Sequence, residues 1–408
     1  MPSRSSAAAY LALLLLTLLN FLNYIDRSIL FAVQPQIQAE FHCSDSQIGL
    51  LTSAFFFCYM IFAPFAGFLA DRAARKYIMA VGAVIWSLAT LLTAVTHSYS
   101  VLLIRHTVVG IGEATFVTIT PAFVSDLFPE HVRGRIMAIF YVAIPVGTAI
   151  GYLLGGALGH TYGWRMPFYV CAVPGVILGL LLLVVREPQR GVQDTIQQTY
   201  ERSSLRGLLG NGAFWTCSLG MAMMTFTVGG LQVWMPTFLS RLRGMPLEQA
   251  NFRFGLLTVI AGTAAALAGG WLGDRLLRRN VGAYYLVSAV GMVLSIPFVI
   301  IAIVMHGAIM YPAILLGEFF ILLNTAPLNA ALVNSVSANI RSTAVAVNLF
   351  TIHLLGDAFS PTIIGAISDR TNLEVGFIPT IVAVILSAVI LFIGVRTAPK
   401  IVAVSSRG

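Results

Sequence analysis

Apolar positions in this chain come in long continuous runs, each near the roughly 20 residues that carry a helix across about 30 Å of hydrocarbon. They recur from Ala7 to Val395 with short polar breaks. A membrane β-barrel would show short segments of alternating polarity instead. The pattern predicts twelve helices, over 8–37, 46–70, 77–96, 99–127, 136–160, 165–185, 214–239, 251–273, 281–305, 310–337, 343–367 and 375–396. The one long polar break, 186–213, carries Arg186, Arg190, Arg202 and Arg206 and reads as a linker. It divides a first bundle, 1–185, from a second, 214–408. Within it, Ser203–Leu209 fits a segment on the membrane surface or a plain flexible tether. The expected fold class is therefore an all-α membrane protein.

Composition sharpens this picture. Only 10% of the 408 residues are charged and 58% are hydrophobic, against roughly 25% charged in ordinary globular domains. Such a chain needs lipid as its solvent. The net charge of +8 would suggest nucleic acid in a soluble protein, but here the basic residues sit in short loops. With the amino terminus inside, the inside loops and tails carry 17 of the 24 Lys and Arg: Arg4, Arg72, Arg75, Lys76, Arg133, Arg135, Arg186, Arg190, Arg202, Arg206, Arg275, Arg278, Arg279, Arg341, Arg396, Lys400 and Arg407. The outside loops carry Arg165, Arg241, Arg243, Arg253 and Arg370, and Arg27 and Arg105 lie within helices. That bias predicts both termini on the cytoplasmic side of a multi-pass protein, in the plasma (inner) membrane if the source is bacterial. The basic amino-terminal start followed by an apolar run reads as the first helix, because no small-residue cleavage site follows. Cys43, Cys58, Cys171 and Cys217 share no metal-like spacing and read as packing residues. No cofactor, metal or nucleic-acid partner is expected, and the protein is expected to act as a monomer.

The two halves repeat. Gly67-Phe-Leu-Ala-Asp71-Arg72-Ala-Ala-Arg75-Lys76 follows the second helix, and Gly270-Trp-Leu-Gly-Asp274-Arg275-Leu-Leu-Arg278-Arg279 follows the eighth, 203 residues later. Gly112-Glu113 in the fourth helix matches Gly317-Glu318 in the tenth, and Pro121 matches Pro327. A repeat kept in register over this length implies two six-helix bundles. Transporters of this design bind substrate near the bilayer midplane at the repeat interface.

The decapeptide G-x-L-x-D-R-x-x-R-[KR] resembles the signature loop of the major facilitator superfamily. Pro145-Val-Gly147 and Gly151-Tyr-Leu-Leu-Gly155-Gly156 are similar to its glycine-rich fifth helix. Ala74 departs from the glycine usual at that position. Three further motifs resemble the spinster family: Asn23-Tyr24-Ile25-Asp26-Arg27; Gly110-Ile-Gly112-Glu113-Ala114 with Phe140-Tyr141-Val-Ala-Ile-Pro145; and His353-Leu-Leu-Gly356-Asp357-Ala-Phe-Ser360-Pro361. The first two are shared with organic-anion symporters, and the third is the sharper mark. The resemblance covers essentially the whole chain. It implies a secondary active transporter of amphipathic lipids such as lysophospholipids or sphingoid phosphates, coupled to protons and working by alternating access. A proton-coupled symporter of small organic anions or sugar acids is the other reading, and a receptor or scaffold on a transporter fold is a third.

Charge inside a membrane helix costs about 2.5–3.5 kcal/mol on insertion scales and marks function or structural pairing. Asp26 and Arg27 lie in helix one, Arg105 and Glu113 in helix four, Glu318 in helix ten, and His353 and Asp357 in helix eleven, which also carries Asn348 and Ser360. At about 1.5 Å per residue, Asp26 and Arg27 lie roughly 15–17 Å below the outer end of their helix and Glu113 roughly 21 Å below the outer end of its own. Arg27 and Glu113 are thus level and are expected to form a pair that makes and breaks. Arg105 sits a turn or more above, placed to lean toward Asp26. Asp26, with Glu113, is the candidate proton carrier, since burial and a nearby arginine pull a carboxylate's proton affinity in opposite directions. His353 and Asp357, four apart, share a helix face, and Arg27, Arg105, Glu318, His353, Asp357 and Asn348 are the candidate substrate-binding or gating group. In the loops, Gly67 and Gly270 are expected to allow close helix approach. Asp71 and Asp274 are placed to meet a helix amino terminus. Family resemblance implies a cytoplasmic latch of Gly67, Asp71, Arg72, Arg75, Asp274 and Arg275. No nucleotide-binding glycine loop, clustered metal ligands or sizeable soluble domain is present, so an enzyme is not expected.

Overall fold

The computed structural model describes residues 7–189, 205–336 and 340–398. Within these, twelve helices are long and apolar enough to cross a membrane: α1 Ala7–Phe41, α2 Asp45–Ala70, α3 Arg75–Ala94, α4 Tyr99–Leu127, α5 Arg135–Tyr162, α6 Met166–Val184, α7 Gly212–Arg243, α8 Leu247–Leu277, α9 Ala283–Val304, α10 Met310–Asn334, α11 Thr343–Arg370 and α12 Leu373–Thr397. A one-turn helix, Leu205–Leu209, lies in the linker. Arg4, Arg190, Arg202, Ser203, Ser204, Lys400 and Arg407 fall outside the described residues, as do the side chains of Arg133, Arg206 and Arg341.

The helix surfaces are those of a lipid-embedded protein. Leu11, Phe65, Leu267 and Ile393 are all exposed, Leu267 by 73%. Asp26, Glu113, Glu318 and Asp357 are buried. This inverts the rule for water-soluble proteins and follows from a solvent that rewards apolar surface and penalises unpaired charge.

Two compact units form. One takes in the described residues of Met1–Gln198 with Gln232–Val259 and Pro361–Gly376; the other takes in those of Thr199–Leu231, Ile260–Ser360 and Phe377–Gly408. In the first, α4 nests against α2 and α3 because small residues let the backbones touch. A methyl group at Gly112 would lie 2.5 Å from the Gly82 carbonyl oxygen and 2.7 Å from the Trp86 nitrogen. Both obstacles are main chain, so neither swings aside. This contact seats Glu113, the next residue. Gly112→Ala is therefore expected to lower stability by about 1–3 kcal/mol, the usual range for overpacking, which thermal unfolding of the purified protein measures. On the other flank, α5 lies on α1, with Gly151 against Ser28 Cβ and the Ile25 carbonyl.

Two helices depart from the sequence expectation. Helix α10 breaks at Leu323–Asn324 into Met310–Leu322 and Thr325–Asn334. There the fully buried Asn324 amide points at the Met292 sulfur, 3.1 Å away. Helix α11 contains a π turn over His353–Asp357, with Gly356 at φ −104°, ψ −107°. The Ala358 N–H donates to the His353 carbonyl five residues back, at 3.1 Å. Such single-turn bulges are frequent at functional sites. Other helices simply run further than hydropathy implies. Helix α7 continues to Arg243 because its terminal arginines find carboxylates: Arg241 on Asp45 and Arg243 on Glu374. Arg253, expected in an outside loop, lies within α8.

Candidate functional site

Within the first unit, α1 and α4 bring Arg27 and Glu113 together, Nε to Oε2, at 2.6 Å. Glu113 is fully buried and Arg27 nearly so. The buried Asn23 side chain also faces the Glu113 carboxylate. Four rings surround the Arg27 guanidinium: Phe55 at 5.0 Å, Tyr24 at 5.2 Å, Tyr59 at 5.4 Å and Phe56 at 5.7 Å from their centroids. Each face offers a desolvated cation roughly 0.5–2 kcal/mol. His106, also buried, stacks on Phe55 at 5.4 Å. The guanidinium is thus held by one carboxylate and by π faces, so releasing the carboxylate does not leave the cation without company.

Asp26 points elsewhere, as neighbouring residues on a helix must. It accepts a long hydrogen bond from the Thr90 hydroxyl at 3.4 Å. The Trp86 indole N–H also faces this carboxylate. Among the described residues no cation pairs with Asp26. Arg105 does not lean toward it, contrary to the sequence expectation. Its guanidinium donates instead to the Leu92 carbonyl and, at 2.9 Å, to the Thr96 hydroxyl near the end of α3. A long arginine near a helix end gains more by reaching toward the interface than by entering the core.

Asn348, Glu318, His353 and Asp357 belong to the second unit. His353 Nδ1 lies 3.0 and 3.1 Å from the two oxygens of Asp357, so the shared face is realised, across the π turn. Glu318 and Asn348 are buried. The Asn348 carbonyl oxygen and the Ser360 hydroxyl have no hydrogen-bond partner.

The loop motif divides differently from the expectation. Gly67 leaves ordinary room, its nearest neighbour being the Thr118 methyl at 3.8 Å, and Gly270 leaves similar room against Ala326 at 3.7 Å. Neither is a point of forced contact. Asp71 is exposed at the carboxyl end of α2. The anion at the start of α3 is Glu187, which accepts from the Arg75 and Lys76 N–H groups at 3.1 and 2.9 Å. Arg75 is buried and bonds Asp126 at 2.6 Å and Glu187 at 3.1 Å. Arg72 stacks on Phe68 and donates to its carbonyl. Asp274 reaches the first turn of α9, accepting from the Tyr284 hydroxyl at 2.8 Å.

A second charged cluster escaped sequence reading. On the side opposite the linker, the first unit gathers Asp45 at the start of α2. Asp45 accepts from Arg241 at 2.8 and 2.9 Å, from Ser368 at 2.5 Å and from Gln38 at 2.7 Å. Asp369 accepts the Asp45 and Ser46 N–H groups at 2.6 and 2.9 Å, an anion on a helix amino terminus. Ser44 and Gln47 complete a capping box. The only sequence signal was the S-x-x-Q spacing. We expect Asp45→Ala to cost about 1–3 kcal/mol, less than a fully buried pair because Arg241 is over a third exposed. It should also lengthen spin-label distances between positions 42 and 372; an unchanged distance distribution would show that the clasp holds nothing. Nearby, Glu40 takes Arg165 at 2.6 Å, and those bonds raise the Arg165 pKa above the usual arginine value. Burial likewise raises the thiol of Cys43, in keeping with a packing role.

The sequence pattern of the Major Facilitator Superfamily matches residues 16–361. Protein spinster homolog 3 of Danio rerio is 38% identical over 91% of this chain and 79% of its own length. Protein spinster homolog 1 of Homo sapiens is 37% identical over 86% of this chain and 71% of its own. A crystal structure of a bacterial homologue of the human lysosomal transporter spinster, inward-facing and unoccupied, superimposes with a TM-score of 0.88 at 25% identity, covering 97% of this chain and 98% of that one.

Proposed function

The chain belongs to the major facilitator superfamily and, within it, to the spinster family of membrane transporters, and from that premise we propose that it moves an amphipathic anion, such as a lysophospholipid or sphingoid phosphate, together with protons. The observation that carries this reading is the Arg27–Glu113 pair at 2.6 Å, buried inside a ring of aromatic faces. An anionic head group competes with Glu113 for the guanidinium, and a proton on Glu113 releases it. Either event opens the pair, and the aromatic ring keeps the arginine from being stranded meanwhile. Asp26 is the second protonatable group, since its buried carboxyl has no cation partner among the described residues. In the second half His353 and Asp357, with Glu318 and Asn348, take the corresponding gating role. The π turn supports this, because it places an irregular, adjustable backbone where the ionisable pair sits. Alternating access between the halves, 1–185 and 214–408, and cytoplasmic termini complete the proposal; the Lys and Arg bias supports the orientation.

As a spinster-family transporter the chain is not an enzyme. Lipid rather than a small sugar acid is favoured because one arginine amid four aromatic rings suits a single anionic head beside apolar surface. The test is flux into proteoliposomes of a lysophospholipid and of a sugar acid, each with and without a pH gradient. Gradient-stimulated lysophospholipid flux supports the proposal. Stimulated flux of the sugar acid alone, or flux indifferent to the gradient, contradicts it.

A further inference from the structure

The two copies of the loop motif have the same sequence pattern and opposite fates. In the first copy two of the three cations are consumed internally, and only Arg72 is exposed. Arg75 is buried on Asp126 and Glu187, Lys76 Nζ donates to the Leu183 and Val185 carbonyls at 3.0 and 3.1 Å, and Arg72 covers Phe68. In the second copy, Arg275, Arg278 and Arg279 are exposed, and among the described residues none of them has a carboxylate partner. They line a cavity of about 600 Å³ with Trp271, Asp274 and Leu276. The one acid there, Asp274, already accepts from Tyr284. Trp271 is 59% exposed, and the Arg275 guanidinium lies 5.2 Å from its ring.

The position gives these features meaning. They stand at the carboxyl end of α8, where a membrane-spanning helix leaves the hydrocarbon. A tryptophan there sits at the level of the lipid head groups. Three guanidiniums beside it, without a carboxylate partner among the described residues and in a cavity large enough for a head group, match a phosphodiester in charge and in hydrogen-bonding pattern. Topology signalling alone does not explain the asymmetry, since the first copy carries equal charge and holds two of its three cations, Arg75 and Lys76, inside its own unit. We propose that the second copy of the motif is a docking site for the phosphate of an acidic phospholipid, with Arg275, Arg278 and Arg279 holding the anion and Trp271 seating the glycerol and upper acyl chain. The first copy has no such site because Asp126 and Glu187 fill the same office from within.

The test uses the full chain purified in mild detergent, titrated with dioleoyl phosphatidylglycerol, with dioleoyl phosphatidylcholine and with inorganic phosphate, and read by thermal unfolding. Phosphatidylglycerol is expected to raise the melting temperature saturably, and the other two to leave it nearly unchanged. Each basic residue contributes about fivefold to acidic-lipid affinity, so the R275Q/R278Q/R279Q variant should need about two orders of magnitude more lipid for the same rise. If that variant does not fold, the milder R278Q/R279Q pair should still show one to two orders. The exposed Arg135→Gln serves as a control for bulk charge and should leave the titration in place. An unchanged titration in the arginine variants, an equal loss in Arg135→Gln, equal stabilisation by phosphatidylcholine or by free phosphate, or no response to phosphatidylglycerol at all would each overturn the proposal.

Discussion

Arg27→Ala and Glu113→Ala should each destabilise the protein strongly, and the double variant should recover part of the loss. Removing one partner of a buried pair costs about 3–5 kcal/mol in soluble cores, whereas removing both is often close to neutral. The surroundings set the order of the two single effects. Without Glu113, the Arg27 guanidinium keeps four aromatic faces around it. Without Arg27, the fully buried Glu113 keeps no cation, and the rings lose the group they packed against. Arg27→Ala should therefore be the more damaging. Thermal or denaturant unfolding of the four proteins closes the cycle, with a coupling of about 1–3 kcal/mol for groups in contact. Additive effects would mean that the 2.6 Å contact carries no shared energy. Transport should stay lost in the double variant, because a neutral pair responds to neither substrate nor protons.

Asp26→Asn should remove the response to a pH gradient and leave the fold intact. Each unit of pH difference supplies about 1.4 kcal/mol per proton, or roughly tenfold in accumulation. An amide carries no proton, so the accumulation ratio should fall to one while downhill exchange persists. The substitution is isosteric. It disturbs only the weak Thr90 bond and the contact with the Trp86 indole, whose N–H an amide oxygen can still accept. Stability should stay within about 0.5 kcal/mol, the usual range when no strong contact is lost. Wild-type accumulation by the variant would exclude Asp26 as the proton carrier.

The helices and the Arg27–Glu113 contact were legible in the sequence because they rest on local quantities. Hydropathy runs place the spans, and a fixed rise per residue makes two buried charges level before any packing is known. What was illegible depends on tertiary partners. Arg105 has the same composition-level signature as Arg27, yet it turns to Leu92 and Thr96 because a carbonyl and a hydroxyl near the end of α3 are within its reach. The clasp at Asp45 joins residues 196 and 324 positions apart, and no pattern along the chain couples them. Glu187 capping α3 across 112 positions is of the same kind. The aromatic ring around Arg27 draws on α1 and α2 together, where phenylalanines among other apolar residues look like ordinary membrane-facing positions. The π turn changes only one residue of register, far below what hydropathy detects. The two copies of the loop motif are nearly identical as sequence and diverge because only the first finds Asp126 and Glu187.

The most direct test of the charge-pair mechanism is proton movement driven by substrate alone. Liposomes holding the purified protein and a trapped pH-sensitive dye, with no initial pH gradient, receive a lysophospholipid on one side. The mechanism predicts a change in internal pH that rises with substrate, collapses with a protonophore and is absent in Asp26→Asn and Glu113→Ala. Substrate flux at the wild-type rate with no change in internal pH would contradict it.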